Sequence, residues 1–155
     1  MRILVVLVEC NGADATVPVA VKHAAPQQPV TVLQVFDPRY TERLCRKLRQ
    51  DGWMGASASQ EVGDKIRDEY HQRFDTACSE VVSAIKSQGV QVDLISREGD
   101  LVNTVLQTME ELKDVQRVLV GHPQRSWLSR WLDDLNLRVL IDKAPCEVQL
   151  VELPR

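Results

Sequence analysis

Six consecutive apolar residues near the start of the chain, Ile3-Leu4-Val5-Val6-Leu7-Val8, set the tightest limit on what it can fold into. A strand with one face in water alternates apolar and polar residues, because successive side chains point to opposite faces. An unbroken aliphatic run has no wet face, so it belongs inside a parallel sheet covered on both sides. The run therefore predicts a central first strand and requires helices above and below it.

The following residues supply them. Glu9-Cys10-Asn11-Gly12 has turn chemistry, and Asp14 or Thr16 is placed to cap a helix reaching about Ala25, with Pro18 in its first turn and Pro26 and Pro29 beyond its end. Val30 to Phe36 is the second strand, closed by Asp37-Pro38, and a basic piece from Tyr40 to Gln50 reads as helical. Asp51 to Ser57 is a loop bracketed by Gly52 and Gly55. Its Trp53 and Met54 either tuck onto the domain or form a mobile flap or partner contact.

From Ser59 to Gln88 the residues Val62, Ile66, Tyr70, Phe74, Ala77, Val81, Ala84 and Ile85 recur at three and four, the mark of one buried helix face. Asp64, Lys65, Asp68, Glu69, Gln72, Arg73 and Glu80 are assigned to water, as is His71, which falls outside the apolar row. Gly89 is expected to end the helix in a left-handed conformation. Val90 to Ser96 is the third strand, and Asp100 caps a helix with the buried stripe Val102, Val105, Leu106, Met109 and Leu112. Val115 to Val120 is the fourth strand, Leu128 to Ala144 is mostly helix, and Pro145 precedes a last strand, Cys146 to Leu153.

This alternation predicts an α/β fold with a parallel sheet and right-handed crossovers. At 155 residues the chain forms one domain, residues 1–155. Ligands of such sheets lie at the carboxyl ends of the strands where the strand order reverses. The expected cleft is lined by Val8-Glu9-Cys10, by the loop Gly121 to Leu128, and by Phe36-Asp37.

A net charge of −3 with scattered signs argues against nucleic acid as a partner. The first apolar run is too short to span a membrane and carries no cleavage-site pattern. The four cysteines, Cys10, Cys45, Cys78 and Cys146, form no CxxC pair, and His23, His71 and His122 have no metal-ligand spacing. Free thiols in the cytoplasm are the consistent reading. No nucleophile turn or carboxylate pair supports catalysis, so no catalytic residue is assigned.

The carboxyl-terminal third carries a more specific pattern: Val120-Gly121, Arg125-Ser126, Leu128-Ser129-Arg130, Arg138-Val139-Leu140 and Ala144-Pro145-Cys146. With Arg2-Ile3-Leu4-Val5, Val30 to Pro38 and Gly99-Asp100 in matching order, the chain resembles the universal stress protein family over nearly its whole length. The resemblance implies an adenine nucleotide alpha hydrolase-like fold: five strands in order 3-2-1-4-5, helices on both faces, and a homodimer paired through the last strand. ATP-binding members carry an Asp at the end of the first strand and, after the fourth, a Gly-x2-Gly-x9-Gly-Ser/Thr loop. Carried over, these positions fall on Val8, with Glu9 next along, on Gly121 and Gln124, and on Asp134-Leu135 or Asp133-Asp134.

These departures read as loss of the nucleotide cradle. Such a loop works by close backbone approach and free N–H groups; Gln124 adds bulk, and Pro123 removes a donor. Asp133 and Asp134 add negative charge where a terminal phosphate would sit, and two like charges about 5 Å apart repel by roughly 3 kcal/mol at an effective dielectric near 20. The expected protein is thus a non-catalytic, cytoplasmic, dimeric stress-response protein that binds no cofactor tightly. It acts through contacts with an unidentified protein, in which Trp53, Met54, Trp127 and Trp131 can take part. The vestigial nucleotide cleft comprises Val8, Glu9, Gly121, Gln124, Arg125, Ser126 and Ser129. The alternative is a nucleotide-responsive switch or weak hydrolase that binds ATP or AMP through Gly121, Arg125, Ser126 and Ser129. The last strand offers an open edge that antiparallel pairing with a second copy would cover.

Overall fold

The unbroken apolar run takes the middle of the sheet. In the computed structural model, which describes residues 1–8, 12–24, 28–39, 42, 60–123 and 137–153, the strands are β1 (Arg2–Leu7), β2 (Val30–Phe36), β3 (Val92–Glu98), β4 (Val115–Pro123) and β5 (Glu147–Leu153). All neighbours pair in parallel, in the order β3-β2-β1-β4-β5. Ile3 to Val8 are each at most 1% exposed, as a strand covered on both faces must be.

Besides the helical residues Pro38, Arg39 and Glu42, the helices among the described residues are α1 (Thr16–His23), entered through a 3-10 turn at Ala13–Ala15, α2 (Gln60–Ser87), α3 (Leu101–Leu112) and α4 (Leu137–Lys143). Strand order reverses beside β1, so right-handed crossovers put α1 and α2 on one face and α3 and α4 on the other. The packing agrees, with α1 against α2 and α3 against α4. On α2 the side chains of Tyr70, Phe74, Val81 and Ile85 are buried as the three-four spacing requires, and Cys78 joins them. Asp64, Lys65, Asp68, Glu69, Gln72, Arg73 and Glu80 face water. Fully burying each large aliphatic or aromatic side chain of this kind contributes about 1.5–3 kcal/mol.

Polar side chains fix the alignment of the layers. Arg2 donates from Nη1 to Thr31 Oγ1 at 2.6 Å and from Nε to Asp114 Oδ1 at 3.1 Å, while Thr31 donates to Asp93 Oδ1 at 2.8 Å. These bonds join β1, β2, β3 and the entry to β4 at one end of the sheet. Deeper in, the buried Gln34 donates to Asp75 of α2 at 2.9 Å and accepts from Ser96 of β3 at 3.1 Å. Asp100 caps α3 as expected, accepting from the Asn103 N–H at 3.0 Å.

Three expectations are corrected. Neither Asp14 nor Thr16 caps α1: the N-cap position is Ala15, no side chain caps it, and Thr16 donates its hydroxyl to the Ala13 carbonyl at 2.7 Å instead. The third strand runs Val92–Glu98 and not from Val90 to Ser96, because its limits are those of its neighbour, Val30 pairing with Val92 and Phe36 with Glu98. The fourth strand continues past Val120 to Pro123, since β5 pairs with it residue by residue from Arg117 to Pro123. Among the described residues β1 pairs with β4 as far as Val120, so Pro123 lies where β4 has β5 as its one partner, an edge-like position that tolerates a missing N–H. The left-handed turn after α2 is found at Gly89, with φ +80°.

Candidate functional site

Two groups of residues lie along the carboxyl edge of the sheet. The first centres on Asp37, directly after β2. Its side chain is fully buried, and its carboxylate accepts from the Arg39 backbone N–H at 3.0 Å, from Arg39 Nε and Nη2 at 3.1 and 2.8 Å, and from the Leu101 N–H at 3.1 Å. Pro38 and Arg39 are already helical, so one carboxylate satisfies a first-turn N–H at two helix starts, the other being that of α3. Arg39 also bridges to Asp100 at 2.6 Å. Asp37 therefore does not line an open cleft as expected. Its bonding is spent on holding β2, α3 and the turn after β2 together.

The second group forms where α2 passes the end of β2. The Phe36 and His71 rings stack face to face, centroids 4.2 Å apart and planes 5° apart. Phe74 meets Phe36 edge-on at 5.1 Å and 67°, and Tyr70 stands at 87° to His71. His71 is thus half-buried against an aromatic wall, not a fully solvated residue of the outer helix face. The three-four row missed it because the end of β2 widens the buried arc of α2 at this one turn. A cavity of about 260 Å³ opens here, lined by Phe36, Pro38, Glu42, Arg67, His71 and Glu98. Sequence reasoning assigned none of the last four to a site; the four-residue spacing of Arg67 and His71 on one helix face is the signal that was available.

At the expected nucleotide cleft, Val8 is 1% exposed, and its backbone carbonyl accepts the Tyr70 hydroxyl at 2.9 Å. Gly121 is buried inside the β4–β5 ladder, opposite Val151. Glu9, Gln124, Arg125, Ser126 and Ser129 lie outside the described residues, as do Cys10, Trp53, Met54, Trp127, Arg130, Trp131, Asp133 and Asp134. Among the described residues no three acidic, imidazole or thiol groups converge as metal ligands, and no helix is long and apolar enough to cross a membrane.

Cys146 packs at the start of β5 beside the core. Burial pushes its thiol above the ordinary value of 9.0, against the opposing pull of Arg117, and Glu147 adds to the rise.

Five parallel strands in this order, with helices on both faces and a reversal point beside β1, define a Rossmann-like α/β protein with the universal stress protein fold. Neither a family model nor a curated protein sequence matches the chain. Solved structures do. Universal stress protein UspA from Lactobacillus plantarum superposes with a TM-score of 0.62 at 17% identity, covering 97% of each chain. The hypothetical protein MJ0577 gives 0.64 at 13% identity over 99% of this chain and 96% of its own, and the hypothetical protein PH0823 gives 0.54 at 20% over 99% and 97%. At these identities the likeness is one of fold.

Proposed function

We propose that this chain is a non-catalytic, cytoplasmic stress-response protein that has lost tight ATP binding and acts as a homodimer through protein contacts. The observation that carries the reading is Val8. The universal stress protein pattern puts a carboxylate at this position in ATP-binding members, whereas here a buried valine stands there with its carbonyl already engaged by Tyr70. No side chain at that position can accept a hydrogen bond from a nucleotide. Gly121, the first glycine of the pattern, is held in a ladder between two strands, which supports the same conclusion.

Dimerisation is supported by β5 at the end of the sheet order, where among the described residues it pairs with β4 alone. Leu150 on β5 and Ile141 on α4 are 43% and 45% exposed, apolar surface that a second copy pairing strand to strand would cover. Sedimentation equilibrium at micromolar concentration is expected to give a dimer, and a monomer removes this part of the reading.

The alternative, a nucleotide-responsive switch or weak hydrolase using Gly121, Arg125, Ser126 and Ser129 with ATP or AMP, is favoured by one comparison. A universal stress protein solved in complex with cAMP shares the fold at a TM-score of 0.50 and 14% identity. Thermal unfolding with millimolar ATP, ADP, AMP and cAMP separates the two. A ligand at a hundred times its dissociation constant adds about 2.7 kcal/mol, a rise of several degrees for a domain of this size. We expect shifts below about 1 °C for all four nucleotides; a rise of several degrees with any of them replaces our reading with the alternative.

A further inference from the structure

We propose that the cavity at the carboxyl ends of β2 and β3 binds an organic cation, an ammonium or guanidinium group on a short aliphatic stem, through Glu98 and His71. This site lies on the α2 side of the sheet and shares no residue with the nucleotide cleft expected between β1 and β4.

The chemistry of the lining selects the occupant. Of the charged groups that line the cavity, Arg67 is already paired with Asp64 at 3.0 Å, while the Glu98 carboxylate has no partner among the described residues. An anion entering the cavity would meet the Glu98 charge and a cation already engaged, whereas an organic cation would neutralise Glu98. Two groups are free to bind it. Neither the Glu98 carboxylate nor either His71 nitrogen has a hydrogen bond or ion pair with another described residue. The imidazole is held against Phe36 by the parallel stack, with Tyr70 at right angles to it, so its nitrogens are presented in a fixed plane. A neutral imidazole nitrogen accepts a hydrogen bond, and a carboxylate supplies the charge-assisted one.

Size and shape favour a small, extended occupant. A volume of about 260 Å³ falls below the ~300–1,000 Å³ of sites for drug-sized molecules and matches a single extended basic chain. Pro38 and the Phe36 ring supply apolar surface for the methylene stem. A nucleobase would need an open aromatic face, but Phe36 gives one face to His71 and is packed edge-on by Phe74. An inorganic dication finds no set of three ligand groups among the described residues. The cation can be a free amine or the Lys or Arg side chain of another protein.

The test follows the imidazole ¹H–¹⁵N signals of His71 while butylammonium chloride, the peptides Gly-Lys-Gly and Gly-Arg-Gly, sodium chloride at matched ionic strength, and sodium phosphate are added in turn. Butylammonium or the basic peptides are expected to produce a saturable shift with a dissociation constant on the order of millimolar. Sodium chloride and phosphate should leave the signals in place. Glu98→Gln removes the charge from an exposed strand position without creating a void; it should weaken binding at least about fivefold while leaving the melting temperature unchanged. His71→Phe keeps an aromatic ring on Phe36 and removes the acceptor, so it should weaken binding as well. Tighter binding of the peptides than of butylammonium would identify a protein side chain as the ligand; the reverse would identify a small amine. Absence of any saturable shift with cations, a larger response to phosphate, or binding unchanged in Glu98→Gln overturns the proposal. Because nucleotides are not among the probes, failure here leaves the reading of the β1–β4 cleft standing on its own test.

Discussion

Replacing Asp37 with alanine strips the acceptor from four hydrogen bonds at once. The Leu101 N–H, buried at the first position of α3, loses its side-chain partner at 3.1 Å, and an orphaned buried donor costs about 1–3 kcal/mol. Arg39 loses its two-pronged contact at 3.1 and 2.8 Å, but its side chain is 43% exposed and keeps Asp100 at 2.6 Å. It can rehydrate, so this loss falls below the 3–5 kcal/mol of a fully buried broken pair. Asp37→Ala is therefore expected to destabilise by about 2–4 kcal/mol, a large fraction of the roughly 5–15 kcal/mol typical of a domain. Asp37→Asn retains one acceptor oxygen for the Leu101 N–H and loses only the charge; it should cost about half as much. Urea unfolding followed by circular dichroism reads both as shifts of the midpoint at constant slope. A cost below about 1 kcal/mol for the alanine variant would refute the view that this carboxylate ties β2 to α3.

Tyr70→Phe removes the 2.9 Å bond to the Val8 carbonyl and leaves that buried acceptor short of a partner, so a loss of about 1–2 kcal/mol is expected in the same assay. Gly99 has φ +149°, and a Cβ there would meet Thr104 Oγ1 at 3.1 Å. Gly99→Ala should cost about 1–3 kcal/mol, checked by the same denaturation, and the β3–α3 turn must move to accept it. Cys146 is expected to react with iodoacetamide at pH 8 more slowly than the same thiol in urea, measured by peptide mass mapping, because burial raises its pKa. The native state holds this proton more tightly than the unfolded chain. Its stabilising contribution is whole below the ordinary thiol value of 9.0 and fades as pH climbs from there through the folded value; Cys146→Ala should flatten that alkaline decline.

Much of the framework can be read residue by residue along the chain. The continuous aliphatic run put β1 at the centre, and the three-four spacing picked out Tyr70, Phe74, Val81 and Ile85. Asp100 and Gly89 marked where helices begin and end, since N-caps and left-handed turns depend on a few adjacent residues. The candidate site was less legible. Asp37 reads locally as a turn residue before proline; that it anchors α3 depends on Leu101, sixty-four positions away. His71 reads as surface on a helical wheel, because a wheel does not include the strand end that α2 crosses.

Among the described residues, sequence alone decided the order and kind of the strands and main helices and which helix faces are apolar, because side-chain period and capping are properties of neighbours along the chain. The expected helix from Tyr40 to Gln50 and the start of the one from Leu128 lie outside the described residues. Tertiary structure decided where β3 and β4 stop, which carboxylate is buried and which histidine gains a wall. A strand's length is set by its hydrogen-bonding partner, and a side chain's surroundings by segments that meet only when the sheet closes over its helices.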